Sequence, residues 1–177
     1  PVQFDDVYHL TFRTADKLKV LNIDDDGQPQ RNLRAALGGL SVFAASYTGS
    51  RNIDYGSLAD NDLIVLTDQV SVGSGLSEQL RIYVENGGNI LVFPPKNADI
   101  TSYNTFLARV GVDRLEAFAE QSREVSGLNR REFIFRDVFR NRSAALRLPT
   151  TTGNFPIGSI GSRQQEPLLT YRDGSVA

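Results

Sequence analysis

Four short apolar runs, each followed by a polar turn, constrain this chain more than any other feature of its sequence. The runs are Leu18–Ile23, Ser41–Thr48, Leu63–Leu66 and Asn89–Phe93. A short, continuous apolar run is typical of a strand that is buried on both faces of a parallel sheet. We therefore predict that these four runs form the core strands of one sheet.

Segments with helical periodicity separate the four runs. Their apolar positions are Leu33, Ala36, Leu37 and Leu40, then Leu76, Leu80, Tyr83 and Val84, and then Tyr103, Phe106, Leu107 and Val110. The second set predicts an amphipathic helix over Gly75–Asn86. Strands that alternate with helices favour right-handed crossovers, so the predicted fold class is α/β, a three-layer sandwich with a mainly parallel central sheet. In flavodoxin-like order, the first core strand lies between the second and the third, and the fourth lies beside the third.

The pattern changes near Asp113, and the rest of the chain is predicted to form a less regular, β-containing appendage. The predicted pieces are short strands at Leu115–Glu120 and Arg131–Phe135, a helical turn at Asp137–Phe139, loop or edge structure at Thr150–Gly161 and a hairpin arm at Leu168–Tyr171. Near the other end, the alternation of Tyr8, Leu10 and Phe12 predicts one more strand. We interpret residues 1–177 as a single domain, with its core at about 4–112 and its appendage at about 113–177.

Composition excludes several classes of function. Nineteen basic and 21 acidic residues give a net charge of −2, so no net field favours nucleic acid or an anionic membrane. The chain has no cysteine, which excludes a thiol nucleophile and a Cys-ligated zinc. Its single histidine, His9, argues against Ser-His-Asp catalysis and against multi-histidine metal sites. We predict no cofactor and assign no catalytic residue.

Candidate ligand-binding residues follow three of the four predicted core strands. They are Asp24 and Asp25 after the first strand, Asp68 and Gln69 after the third, and Pro94, Pro95 and Lys96 after the fourth. In an open parallel sheet, ligands bind in the crevice beyond the carboxyl ends of the strands. The sequence therefore predicts a binding crevice formed by these residues.

An alternative interpretation concerns the acidic residues. IDDDGQPQRNLRAAL followed by DLIVLTD is similar to the response-regulator receiver family, and this resemblance implies that Asp24, Asp25 and Asp68 bind Mg²⁺ and accept a phosphoryl group. Three features depart from that family. Asp68 lies one residue beyond the expected position, Gln69–Gly75 stands where the family has a Met-Pro segment, and Lys96 follows a double proline instead of preceding a single one. A solvated acidic turn is the simpler interpretation. A hydrolase that uses two carboxylates with separated pKa values is a second alternative.

The segment Gly73-Ser74-Gly75 precedes the predicted second helix. Exposed N–H groups at such a turn can bind an anion, but this segment lacks the Gly-x-x-x-x-Gly-Lys-Ser/Thr pattern of a phosphate-binding loop. Ordinary helix capping is therefore the favoured interpretation.

The stretch Leu58–Pro95 resembles the class I glutamine-amidotransferase-like domains, in which a strand, a helix, a Gly-Gly turn and another strand follow in this order. More narrowly, the chain is similar to the soluble region of Bacteroidetes-type membrane proteins with an N-terminal BatA (aerotolerance-regulator-like) module. The residues that carry this likeness are Phe4–Phe12, Val20–Ile23, Asn52–Tyr55, Asp62–Leu66, Ser74–Leu76, Gly87-Gly88, Phe93-Pro94, Ser102–Asn104, Phe135–Phe139 and Leu148-Pro149.

The resemblance implies a fold without the family's activity. Amidotransferases place a nucleophilic cysteine at the sharp turn after the strand that here is Ile90–Phe93, and this chain has Pro94-Pro95 there. In the BatA-like family the module lies between membrane helices, on the side that faces away from the cytoplasm. The resemblance thus implies a non-catalytic interaction or ligand-sensing domain of a membrane-anchored envelope protein, with an unidentified protein partner. A start at Pro1 without Met fits the expectation that the domain is cut from a longer protein.

Overall fold

The four apolar runs form the central sheet in the computed structural model, which describes residues 17–28, 30–132, 135, 147–158 and 166–177. The predicted strand at Tyr8–Phe12, the helical turn at Asp137–Phe139 and His9 lie outside these residues. The strands are β1 (Leu18–Asp24), β2 (Phe43–Gly49), β3 (Leu63–Thr67) and β4 (Asn89–Phe93). All neighbouring strands are parallel, and their order is β2-β1-β3-β4. The predicted fold class and strand order are confirmed.

Within the described ranges, three α-helices and one 3₁₀ helix cover the sheet. They are α1 (Arg31–Gly38), the 3₁₀ helix (Tyr55–Asp60), α2 (Ser74–Glu85) and α3 (Ile100–Arg109). The start of α3 is fixed by Asp99, whose side chain accepts hydrogen bonds from the amides of Thr101 and Ser102. None of the helices in these described ranges is long and apolar enough to cross a membrane.

The two faces of the sheet are covered unequally. The larger core lies under α2, α3 and the 3₁₀ helix, and its members with at most 1% exposure include Ile23, Ile64, Leu66, Leu80, Tyr103 and Phe106. The smaller core lies under α1 and consists of Val20, Leu37 and Val65. Helices on both faces make this a three-layer sandwich, as the sequence predicts.

The described residues of the appendage include five short strands: β5 (Arg114–Leu115), β6 (Arg123–Leu128), β7 (Thr150–Thr151), β8 (Ile157–Gly158) and β9 (Leu169–Tyr171). They form two antiparallel sheets, β5-β8 and β7-β6-β9. The predicted turn after β9 is present, since Gly174 has a φ of +83° and the amide of Tyr171 donates to the carbonyl of Ser175. The side chain of Asn104 on α3 bonds both the N–H and the C=O of Leu115, which joins β5 to the core.

Two predictions in the appendage are wrong. Arg131 and Glu132 lie in a turn, not a strand, because the Asn129 side chain accepts from the Arg131 amide and a backbone bond closes from the Glu132 amide to the Asn129 carbonyl. The strand predicted over Leu115–Glu120 is confined to β5, and beyond it only a single bridge at Ala119 pairs with Asn154. The sequence analysis did not predict β6 at all.

Candidate functional site

The chain leaves β1 and β3 towards opposite faces of the sheet. After β1 it enters α1 under one face, and after β3 it enters α2 under the other. The loops that follow these two neighbouring strands therefore diverge and open a crevice between them. This is the topological switch point, where open α/β sheets bind their ligands.

Asp24, the last residue of β1, organises the first loop of the crevice. Its side chain is 3% exposed, and its Oδ1 accepts hydrogen bonds from the amides of Asp26 (2.9 Å), Gly27 and Gln28 (3.1 Å). Gly27 has a φ of +70°, a conformation that favours glycine, and a Cβ there would lie 3.1 Å from the amide nitrogen of Gly49. Asp24 thus folds its own loop tightly against the end of β2.

Asp25 links the loops that follow three strands. Its Oδ2 accepts from the amide of Val70 at 3.1 Å, in the loop after β3. Its Oδ1 accepts from the hydroxyl of Ser50 at 3.4 Å, directly after β2. The Ser50 amide also donates to the Asp24 carbonyl at 2.7 Å. The carboxyl ends of β1, β2 and β3 are therefore held together by hydrogen bonds.

Asp68 has a strained backbone. Its φ is +52°, and it is the only residue other than glycine among the described parts of the chain with a positive φ. Its Oδ2 accepts from the side-chain amide of Gln30, just before α1, and its own amide donates to the Phe93 carbonyl at 3.3 Å. Strain of this kind, held by surrounding bonds, is common at functional sites.

Gln69 is fully buried beneath the crevice. Its carbonyl accepts from the hydroxyl of Tyr103 at 2.8 Å, but its side-chain nitrogen and oxygen have no hydrogen-bond partner in the part of the chain that the structure describes. The same is true of Oδ2 of Asp24. Burial raises the pKa of the Tyr103 hydroxyl well above its ordinary range, and the negative charges of Asp25 and Asp68 raise it further. The hydroxyl therefore stays protonated and holds the loop after β3 against α3.

A polar pocket of about 520 Å³ opens beside these loops. It is lined by Asp25, Asp26, Ser50, Arg51, Tyr55, Ser71, Gly73 and Leu76. Asp25 is among the residues predicted from the sequence, whereas Ser50 and Arg51, which follow β2, are not. The predicted strand order already placed the end of β2 beside β1, and that was the signal that could have included Ser50 and Arg51.

The residues after β4 do not join this pocket. Pro94 lines a separate, apolar cavity of about 380 Å³ together with Val92 and Leu107. The Lys96 ammonium lies 2.5 Å from the carboxylate of Glu120 in the appendage. The structure thus brings Asp24, Asp25, Asp68 and Gln69 together at the switch point and leaves Pro94 and Lys96 in other surroundings.

Comparisons with known proteins identify the fold. A crystal structure of a ThuA-like protein from Bacteroides uniformis superposes with a TM-score of 0.55 at 16% identity, over 93% of this chain and 72% of that one. No protein-family model matches the sequence, and neither does any curated protein. This chain has a ThuA-like fold. ThuA-like proteins have a class I glutamine-amidotransferase-like fold, so that part of the resemblance is confirmed.

Three acidic residues of the crevice accept hydrogen bonds from other groups of the protein. Asp24 accepts from its own loop, Asp25 from Val70 and Ser50, and Asp68 from Gln30. Among the described residues, no group of three or more His, Cys, Asp or Glu side chains could hold a metal ion. These hydrogen bonds support structural roles for Asp24 and Asp68 in shaping the crevice.

The start of α2 also faces the pocket. Gly73 is the N-cap residue and lines the pocket, and no side chain of the described residues accepts a hydrogen bond at this helix end. The first amides of α2 therefore keep donors for water or a ligand. Helix capping is the interpretation that the sequence favours for Gly73-Ser74-Gly75, and Gly73 is indeed the N-cap of α2.

Proposed function

We propose that this chain is a non-catalytic ligand-sensing domain, and that its ligand binds in the polar pocket at the switch point. The observation that carries the proposal is the pocket itself, whose lining residues come from the loops after β1, β2 and β3 and from the start of α2. A pocket of about 520 Å³ has the size of ordinary small-molecule sites.

The hydrogen bonds around the pocket support a sensing role. Asp25 joins the loops after β2 and β3, and Gln30 joins Asp68 to the segment that enters α1. A ligand that contacts Asp25 would therefore act on the loops after β1, β2 and β3 at once. A ligand shifts a conformational equilibrium when it binds one conformation more tightly than the other, and contacts with several loops allow such a difference.

The turn after β4 supports the absence of amidotransferase chemistry. A nucleophile at that position needs an exposed reactive side chain and nearby N–H donors. Pro94 and Pro95 supply neither, and the next helix begins only at Ile100. The chain also lacks the cysteine that this chemistry uses.

Ligand screening by thermal shift tests the proposal directly. Metals, nucleotides, sugars, amino acids and peptides are added in turn to the purified chain, and we expect one class to raise the melting temperature. Ser71→Trp fills the pocket and should abolish that shift, whereas Ser41→Trp, in an exposed turn, is the matched control and should keep it. Turnover of glutamine or another amide by the wild-type chain would contradict the proposal, and so would a screen without any stabilising class.

We further propose that the domain belongs to a membrane-anchored envelope protein, lies on the extracytoplasmic side of the inner membrane and binds a protein partner. The support is the BatA-like resemblance of Phe4–Phe12, Val20–Ile23 and the later motifs. Membrane fractionation of the full-length gene product, followed by protease treatment of spheroplasts, tests this. Recovery in the soluble cytoplasmic fraction would refute it.

A further inference from the structure

The pocket at the switch point carries unpaired charges of both signs. Arg51 lines it, and its guanidinium makes no ion pair or hydrogen bond with any residue that the structure describes. The Asp26 carboxylate also lines it and has no partner within the same ranges, since only the Asp26 amide is engaged. These opposite charges share one cavity without neutralising each other.

The Asp25 carboxylate adds a fixed negative charge. Its two oxygens accept from Val70 and Ser50, which holds the carboxylate in place at the pocket wall. Both carboxylate oxygens keep lone pairs for a further donor, because an ionised carboxylate offers about four acceptor positions. The wall thus presents a positioned acceptor to a ligand.

The presence of both charges in one pocket disfavours the binding of a simple anion or cation. An anion such as phosphate would lie beside Asp25 and Asp26, where like charges repel it. A metal ion would lie beside Arg51, and no three-ligand acidic cluster exists among the described residues. A ligand that carries one positive and one negative group avoids both penalties.

We propose that the pocket binds a free α-amino acid as its zwitterion. The ammonium group faces Asp25 and Asp26, and the carboxylate faces Arg51. The start of α2 at Gly73, which has no side-chain cap among the described residues, adds donors for the carboxylate. This inference rests on the proposed sensing function and names its ligand class. It places the ligand between β1 and β3, away from the turn after β4.

The rest of the pocket suits an amino-acid side chain. Leu76 and the ring of Tyr55 provide apolar surface, and the hydroxyl of Ser71 provides a polar contact. The Tyr55 hydroxyl makes no hydrogen bond within the described parts of the chain and is available to a ligand. The combination favours a small or medium-sized side chain over a long, charged one.

Isothermal titration calorimetry with the common L-amino acids, one at a time, tests the inference. For each amino acid that binds, its N-acetyl derivative removes the ammonium charge and its amide removes the carboxylate. We expect each of these two analogues to bind at least about tenfold more weakly, because a hydrogen bond to a charged group is lost. Equal binding of the amino acid and either analogue would overturn the inference.

Matched variants locate the site. Arg51→Gln and Asp26→Asn should each weaken amino-acid binding by about tenfold or more. Arg31→Gln and Asp60→Asn remove the same charges from exposed positions outside the pocket and should leave binding unchanged. Unchanged binding in both pocket variants would also overturn the inference.

Failure of this inference is distinguishable from failure of the proposed function. If no amino acid binds but a sugar or a nucleotide does, and Ser71→Trp abolishes that binding, the pocket is a sensing site for another ligand class. If no compound of any class binds, both proposals fall.

Discussion

Asn22 and Thr67 show how single polar residues are accommodated in the buried strands behind the crevice. Their side chains lie on neighbouring strands and bond each other twice, from Asn22 Nδ2 to Thr67 Oγ1 at 2.9 Å and from Thr67 Oγ1 to Asn22 Oδ1 at 3.1 Å. Both residues are at most 4% exposed. Because a buried polar group without a partner is costly, this reciprocal pairing explains why Asn22 is tolerated in an otherwise apolar run.

The hydroxyl of Tyr103 should contribute measurably to stability. Tyr103→Phe removes the bond to the Gln69 carbonyl and leaves that buried acceptor unpaired. We expect the free energy of unfolding to fall by about 1–2 kcal/mol. Urea unfolding measures the change, and Tyr55→Phe is the control because its hydroxyl has no partner in the described structure. An equal loss in both variants would show that the Tyr103 bond is not the cause.

Asp173 should make the hairpin turn after β9 sensitive to acid. Hydrogen bonds from the Ser175 hydroxyl and amide lower the pKa of the Asp173 carboxyl, and the charge of Arg123 lowers it further. A carboxyl whose pKa is lower in the folded state stabilises the fold above its unfolded pKa of about 4, and this contribution is lost as the pH falls through the folded value.

Asp173→Asn should therefore be less stable than the wild type near neutral pH, and the difference should shrink below a pH of about 4. Urea unfolding across this range measures it, with the exposed Asp60→Asn as the control. A difference that stays constant with pH would show that the charge of Asp173 does not matter.

At the scale of elements, the periodicity of apolar residues predicted the core strands and α2, because each of these buries residues that recur at regular spacing. The four core strands coincide with mostly apolar runs, although only the inner strands β1 and β3 are largely buried and the edge strands β2 and β4 are partly exposed. The stripe of Leu76, Leu80 and Tyr83 located α2 to within one residue at each end. The strand β6 was missed because its only fully buried residue is Val125 and its partners, β7 and β9, are distant in the chain. Long-range pairing of this kind leaves no local pattern.

Part of the crevice could be predicted from the order of the strands. Topology alone places the residues after β1 and β3 at one edge of the sheet. Topology does not reveal that the Val70 amide donates a hydrogen bond to Asp25, or that Lys96 forms an ion pair with Glu120 in the appendage. These contacts depend on loop conformations, such as the positive φ of Asp68, that no local sequence pattern predicts.

Asn104 should couple the appendage to α3. Asn104→Ala leaves both the N–H and the C=O of Leu115 unpaired, and we expect a loss of about 1–3 kcal/mol in the free energy of unfolding. Hydrogen exchange at the Leu115 amide should speed up while the amides of β3 stay protected. Asn97→Ala, in the exposed turn before α3, is the control. Equal exchange at Leu115 in the variant and the wild type would contradict this coupling.

At the scale of the whole molecule, the receiver-like alternative makes a separate prediction. The Asp68 carboxylate accepts a hydrogen bond from the Gln30 side chain, and no cluster of three acidic ligands surrounds it among the described residues. We therefore expect that acetyl phosphate and Mg²⁺ add no phosphoryl group to the chain, as measured by intact mass, and that Mg²⁺ does not raise the melting temperature. A species heavier by one phosphoryl group, absent in Asp68→Asn, would restore the receiver interpretation.

The turn after β4 contains two prolines, Pro94 and Pro95, in place of a reactive side chain. Pro94 ends the strand at the wall of an apolar cavity beside Val92 and Leu107, and a turn closed by the Ala98 amide and the Pro95 carbonyl precedes α3. Pro95 has no N–H, so it cannot donate to an oxyanion at this turn. A nucleophile placed here would also need a base, and the described residues include no histidine.

Pro94→Cys should therefore create no glutaminase activity. The variant is first shown to fold by circular dichroism and by its melting temperature, and reaction with a thiol reagent reports whether the introduced thiol is accessible, because the chain has no other cysteine. Pro94→Ser serves as the control for loss of the proline ring. Glutamate release is then measured from glutamine. Release by Pro94→Cys above the level of wild type and Pro94→Ser would show that the turn after β4 retains a working catalytic environment, and that the proposal of a non-catalytic domain is wrong.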